Sequence, residues 1–323
     1  MKLFQFVAQR LFLGVFTLVI IAIINFLLIR AAPGDPATVM AGEAGAADEI
    51  FMQQLRERFS LDEPILVQLW SYLVNLAHLD LGMSYRQNKP VLELILDRLP
   101  ATLLLTGSAF ILSIVIGIII GMFMSAKVGS WKDTGMSVLV TVFYATPVYW
   151  LAIVSILVFS VWNPWLPAFG YETIGSGYTG LARAGDVAMH MIQPTVVLAT
   201  FYIAIYARMT RVTMLEVAGQ DFVKTARAKG LSQSRILRSH VLRNALLPVV
   251  TLAGLQAGAM VGGAVLIETV FAWPGMGRLL FEALTQRDYS LLLGTFLVTA
   301  ALAIVFNIIT DVIYTFVDPR IEL

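Results

Sequence analysis

The side chains that could do chemistry in this chain are few and scattered. Its three histidines stand at 78, 190 and 240. They form neither a His pair nor, with any neighbour, a convergent set of the kind a membrane enzyme needs. There is no cysteine, which excludes disulfides and thiolate metal sites. No GxxxxGK[ST] string occurs, so the chain holds no recognisable phosphate-binding loop, and any ATP chemistry belongs to a partner. Asp311 is the clear ionisable group inside an apolar stretch, with Asn25, Gln256 and Asn307 as neutral companions. It reads either as a carboxylate reaching the interface or pairing with an Arg, or as part of a proton relay. A relay wants more than one such group. His190 reads as a structural hydrogen-bonding residue.

The most informative segment points to recognition rather than catalysis. Asp221-Phe222-Val223-Lys224-Thr225-Ala226-Arg227-Ala228-Lys229-Gly230-Leu231 predicts a short helix over 221–229. Gly230 suits the left-handed position that ends helices. Ser232 or Ser234 can cap a second helix through Ile236 and Leu237. Such a basic helix–turn–helix knob is too small to be a domain. It can simply be a positive loop holding topology. Topology needs only charge, however, and not Ala226, Ala228 and a terminating glycine. A knob with a small-residue side fits a groove on a partner protein.

What must position this knob is a membrane protein. The chain has 323 residues, 58% hydrophobic and 13% charged, where soluble domains carry about a quarter charged residues. Net charge is +1, so no global field draws nucleic acid. Runs free of Asp, Glu, Lys and Arg cover 11–29, 99–126, 134–171, 187–207, 244–267 and 289–310. Each is long enough to span a bilayer. The third covers 38 residues but ends in Asn163-Pro164-Trp165-Leu166-Pro167, which is turn-like, so it is counted as one crossing. The first run is longer than a signal-peptide core and reads as a retained helix, with Ala31-Ala32 the one hint of cleavage. The expectation is an all-α integral membrane fold of six spans. Its parts are an N-terminal tail and first span at 1–30, an outer loop at 31–98, and a five-span core at 99–323 that includes the 208–247 loop.

Charge sets the orientation. Between Arg208 and Arg243 lie eight Lys/Arg against Glu216 and Asp221, whereas 31–98 holds five Lys/Arg against ten Asp/Glu. Positive loops stay inside. The 208–247 loop and both termini are therefore expected in the cytoplasm, and the 31–98 loop outside. In that loop Phe51, Leu55 and Phe59, then Leu66, Leu69, Trp70 and Leu73, mark two short amphipathic helices. They read as a lid on the membrane surface, as a docking face for an external protein, or as both. Gly254, Gly258 and Gly262, followed by Gly263, and Ser113, Gly117 and Gly121 form small-residue stripes. A stripe of this kind serves close helix packing, or else lines a wide substrate path. The turn Trp273–Arg278 and the 254–263 face are the candidate translocation residues. Pro147 is expected to kink the third span or to start a new helix.

The 221–231 segment resembles the coupling loop of bacterial ATP-binding-cassette (ABC) importer permeases. Gly230 matches the glycine of the family's Glu-Ala-Ala, three residues, Gly pattern, and Ala226 its last alanine, with Lys224 and Thr225 in place of the others. These departures, and the distance to Leu247-Pro248, follow the peptide-importer branch. Ala32-Pro33-Gly34-Asp35-Pro36, Leu61-Asp62-Glu63-Pro64, Asp80-Leu81-Gly82 (with Leu79 where glycine is usual) and Arg98–Thr102 resemble that branch too. So do Arg243–Val250, Trp273–Arg278, Arg287-Asp288-Tyr289 and Asp318–Ile321, so the resemblance runs over the whole chain. It implies a type I ABC importer permease of the dipeptide/oligopeptide class in a bacterial inner membrane. It implies a second homologous permease, two ATPase subunits that bind ATP and Mg, an external solute-binding protein and surrounding lipid. No cofactor or metal is implied for this chain. The coupling positions would be Lys224, Thr225, Ala226, Arg227, Ala228, Lys229 and Gly230. The pathway would take in Gly254, Gly258, Gly262, Trp273 and Arg278. The competing class, a proton- or ion-coupled secondary transporter, wants intramembrane ion sites and internal repeats; one carboxylate and no repeat are seen.

Overall fold

The computed structural model describes residues 2–31, 63–84 and 86–317. The 33–36 run, the 51–59 apolar repeat, Leu61-Asp62 and 318–321 lie outside them. Among the described residues five helices are long and apolar enough to cross a membrane: Gln5–Leu28, Val91–Ala126, Gly180–Ala218, Gln233–Gly262 and Tyr289–Val312. A sixth crossing is made if the bent pair Trp131–Ala145 and Val148–Trp162 counts as one. The two halves of that pair meet at 101°. Pro147 is the cause: it opens the second helix at φ −59°, and Thr146 before it is extended at ψ 130°, as a residue preceding proline must be. The Thr146 hydroxyl donates to the Val142 carbonyl at 2.7 Å and closes the first half.

Two compact units make up the chain. The first comprises Met1–Thr102 and Pro274–Val305. Here the second span's helix begins at Val91, well before the uncharged run at 99. Glu93, Leu96 and Asp97 face out, while Val91, Leu94 and Ile95 pack on Met276, Leu279 and Leu291. That apolar face carries the helix past the charges. A hairpin of Met83–Ser84 and Lys89–Pro90 precedes it, with Met83 opposite Pro90. It is latched by the buried Ser84 hydroxyl, which donates to Asp288 Oδ2 at 2.5 Å. The helix Ile65–Ala77 lies along the first span, its Tyr72 ring stacked on Phe26 with centroids 5.7 Å apart. Leu66 and Trp70 on this helix stay exposed.

The second unit comprises Leu103–Trp273 and Phe306–Leu323. Its spans pack through small residues. A Cβ on Gly117 would come 2.6 Å from Tyr206 Cβ, and one on Gly121 would come 2.5 Å from Thr210 Cβ. The second-span stripe is therefore a packing seam against the fourth span. Met124, Val140, Ala204 and Ala207 fill the space beside it. The fourth span's helix continues to Ala218, past its apolar run, and carries Arg208 and Arg211 along.

Candidate functional site

The knob is built as the residues require. A helix covers Asp221–Ala228 and stops at Gly230, whose φ is +77°. The Leu231 amide donates to the Ala226 carbonyl at 3.4 Å and the Gly230 amide to the Arg227 carbonyl at 3.0 Å. This is the paired bonding of a Schellman motif, in which only a residue tolerant of the left-handed region fits before the last donor. Ser232 occupies the cap position of the next helix, although its side chain makes no capping bond. That helix then runs through a π-helical turn, Ile236–Val241, into Leu242–Val270.

The knob is held by one apolar seat. Val223 and Ala226 are buried with Met214 and Val217 of the fourth-span helix and with Ile236, Val241 and Ala245. Met122 and Leu231 pack against the same cluster. Ala226 therefore faces its own chain, and the opposite side of the helix is exposed. Phe222, Lys224, Thr225, Arg227, Ala228, Lys229 and Gly230 are exposed. Lys224 pairs with Asp221 at 2.8 Å, and the Thr225 hydroxyl donates to the Asp221 carbonyl at 3.1 Å.

The candidate pathway residues separate. A Cβ on Gly254 would fall 1.7 Å from Thr310 Cγ2, so this glycine is a contact point between two helices. Gly258 is buried, whereas Gly262 is exposed with nothing within 4 Å of its would-be side chain. Trp273 is fully buried, its ring tilted on Tyr171 at 4.8 Å between centroids. Arg278, in the other unit, pairs with Glu282 at 2.8 Å. His190 is buried and its Nδ1–H donates to the Asp186 carbonyl at 2.9 Å, while His78 does the same to Val74 at 2.9 Å. Among the described residues no group of three His, Asp or Glu side chains is placed to hold a metal ion.

Two polar constellations escaped the sequence. Gln193, buried in the fourth span, accepts from the Ser155 hydroxyl at 2.7 Å and donates to Ser160 Oγ at 2.7 Å and to the Pro167 carbonyl at 2.9 Å. It pins the second half of the bent span and the turn after it. Asp133 accepts both Nε and Nη2 of Arg211, at 3.0 and 2.9 Å. Partners separated by 38 and 78 positions carry no spacing signal.

The helical fold has counterparts among solved structures. The structure aligns with the MetNI methionine ABC transporter in an inward-facing crystal form at TM-score 0.56. That match covers 70% of this chain and 96% of the other at 20% identity, a likeness of fold. In sequence, residues 113–323 match the model of the binding-protein-dependent transport system inner membrane component, and 3–106 match the N-terminal model of such membrane components. The chain belongs to that family of transport-system membrane components. It is 39% identical to the dipeptide transport system permease protein of Escherichia coli strain K12, across 98% of each chain. It is equally similar, across 97% of this chain and 98% of the other, to the dipeptide permease of Alkalihalophilus pseudofirmus. This transport-system component is thus a multi-pass inner-membrane permease, not an enzyme. The 221–231 knob falls within the matched core.

Proposed function

We propose that the chain forms, with a second homologous permease, the path by which an ATP-driven importer carries peptides or a related small solute inward. An external binding protein delivers the solute, and two ATPase subunits bind ATP and Mg beneath the permeases. The exposed side of the Asp221–Leu231 knob seats in an ATPase, so nucleotide-driven closure reaches the spans through it. That is a rigid-body switch between two packings. Both termini and the knob lie in the cytoplasm. Gly262, exposed and with open space where a side chain would stand, lies along the path.

One observation carries this reading. The knob is a basic helix with a glycine-closed end, held to its own chain through the buried Val223 and Ala226, with its other side open. Full-length similarity to dipeptide permeases supports the solute class. The chain has no cysteine, so Lys229→Cys creates its sole thiol. A membrane-impermeant maleimide is expected to label it in inside-out vesicles and not in intact cells. Labelling of intact cells overturns the orientation. Copurification of the permease with an ATPase, and loss of stimulated hydrolysis on altering the knob, separate the importer from a self-contained carrier.

A further inference from the structure

The knob's seat leads to a second, polar joint. Arg211 lies one turn before Met214 on the fourth-span helix, and Met214 is part of the cluster that buries Val223 and Ala226. Across from Arg211, Asp133 sits in the first turn of the helix Trp131–Ala145. Its side chain is 5% exposed, and the Arg211 side chain is 29% exposed. Both carboxylate oxygens are engaged. Oδ1 takes Arg211 Nε at 3.0 Å, while Oδ2 takes Nη2 at 2.9 Å and the Gly129 amide at 3.0 Å. The Asp133 amide in turn donates to Ser130 Oγ, the cap of the same helix, at 3.3 Å. The carboxylate therefore ties together a turn, a helix start and the fourth-span helix.

Beside the fork, these two helices meet through apolar contacts and, at the far end, through Tyr144, which stacks on Phe201 at 5.2 Å between centroids and lies 5.0 Å under the Arg208 guanidinium. Val140 meets Ala204 and Ala207, with Met136 beside them. Apolar contact is non-directional and lets helices slide or roll. A two-pronged Arg–carboxylate fork fixes both rotation and register. Resting on the coupling role given to the knob above, we propose that Asp133 and Arg211 are positioning residues that clamp the third span to the knob's seat. Movement of Asp221–Ala228 then passes through Met214 and Val217 to Arg211, and through the fork into Trp131–Ala145. That helix, about 22 Å long, ends at the Thr146-Pro147 break, where the span turns by 101°. The clamp sets how the bend responds when the ATPases close.

The test uses the complete transporter in proteoliposomes, with spin labels on Thr141→Cys and on Gln220→Cys, at the start of the knob helix and outside the coupling positions, of this otherwise cysteine-free chain. The 141–220 distance is read without nucleotide and after trapping with MgATP and orthovanadate. With the clamp intact the two labels move together and the distance holds. In Asp133→Asn, trapping is expected to shift it by about 2–5 Å, the scale of helix shifts and one-turn slips. Arg211→Lys keeps the charge but loses the fork, and is expected to shift it less in the same direction. The charge exchange Asp133→Arg with Arg211→Asp is expected to bring it back towards the original. A merely structural pair would lower the melting temperature and leave the distance unchanged on trapping. Equal distances in both states for Asp133→Asn, or for Arg211→Lys where Asp133→Asn does not assemble, overturn the clamp. The knob's role fails separately, if Ala228→Trp leaves binding-protein-stimulated hydrolysis intact.

Discussion

Gly254 touches Thr310. The gap left for a side chain is so small that a Cβ would lie 1.7 Å from the threonine's Cγ2, whereas at Gly262, two turns along the same face, nothing lies within 4 Å. The stripe that looks uniform in sequence is thus a packing contact at one end and open at the other. Gly254→Val is expected to destabilise the purified protein by about 1–3 kcal/mol, the cost of overpacking, read as a lower melting temperature in detergent. Gly262→Ala, with room for its methyl group in the helix interior, is expected to hold or slightly raise the melting temperature. Any loss of uptake in Gly262→Leu then reports the path rather than the fold.

Leu79 stands in a conformation that costs it energy. It ends the helix Ile65–Ala77 at φ +60°. Its amide donates to the Leu76 carbonyl at 2.9 Å and the Asp80 amide to Asn75 at 2.9 Å. This is the same closing pattern as at Gly230, here with a side chain in the glycine position, and that side chain is 70% exposed. Leu79→Gly is expected to stabilise the protein by about 1 kcal/mol, since the left-handed region costs a non-glycine residue about 1–2 kcal/mol and the added chain freedom of glycine takes part of that back. Thermal melts of the two proteins check it; a lower midpoint for the glycine variant shows that the leucine side chain contributes packing worth more than the strain.

Asp288 explains a motif that the sequence only matched. It takes the Ser84 hydroxyl on Oδ2 and the Leu291 amide on Oδ1 at 3.2 Å, so it latches the hairpin and caps the last span together. Arg86 adds a bond to the Gln286 carbonyl at 3.1 Å. Asp288→Ala removes a cap, worth about 0.5–2 kcal/mol, and leaves the buried Ser84 hydroxyl without its acceptor. Limited proteolysis is expected to cut the 83–90 hairpin faster in this variant than in the wild type. Equal cutting rates sink the latch.

What could be read in advance was what local spacing encodes. The spans follow from uncharged runs, the helix end at Gly230 from glycine's conformational freedom, and the break at Pro147 from its missing amide hydrogen. Helix ends were harder. Glu93, Asp97 and Arg98 look like a loop, yet the buried face of Val91, Leu94 and Ile95 keeps them helical. The Asp133–Arg211 fork and the Gln193 bonds depend on which helices meet, and a stretch of chain 78 positions long records nothing of that. Ala226 is an intermediate case. Its three-residue spacing from Val223 marks a shared face, but not whether that face turns to the chain or to a partner.

Ala226 and Ala228 therefore make opposite predictions from the same substitution. Ala226 is 6% exposed against Val223, Met214 and Ile236. A tryptophan there has no room, and the variant is expected to unseat the knob, lowering the melting temperature and losing uptake together. Ala228 is exposed, so Ala228→Trp is expected to leave the melting temperature and membrane assembly intact while binding-protein-stimulated ATP hydrolysis falls by about tenfold, the size of a typical coupling term. Gly230 divides the same way. Nothing lies within 4 Å of its would-be side chain, so only its φ of +77° matters. Gly230→Asn, which tolerates that region, is expected to keep most of the stimulation, whereas Gly230→Val and Gly230→Pro lose it. A Gly230→Val complex with full stimulation and full uptake means that the closed end of this helix has no part in coupling.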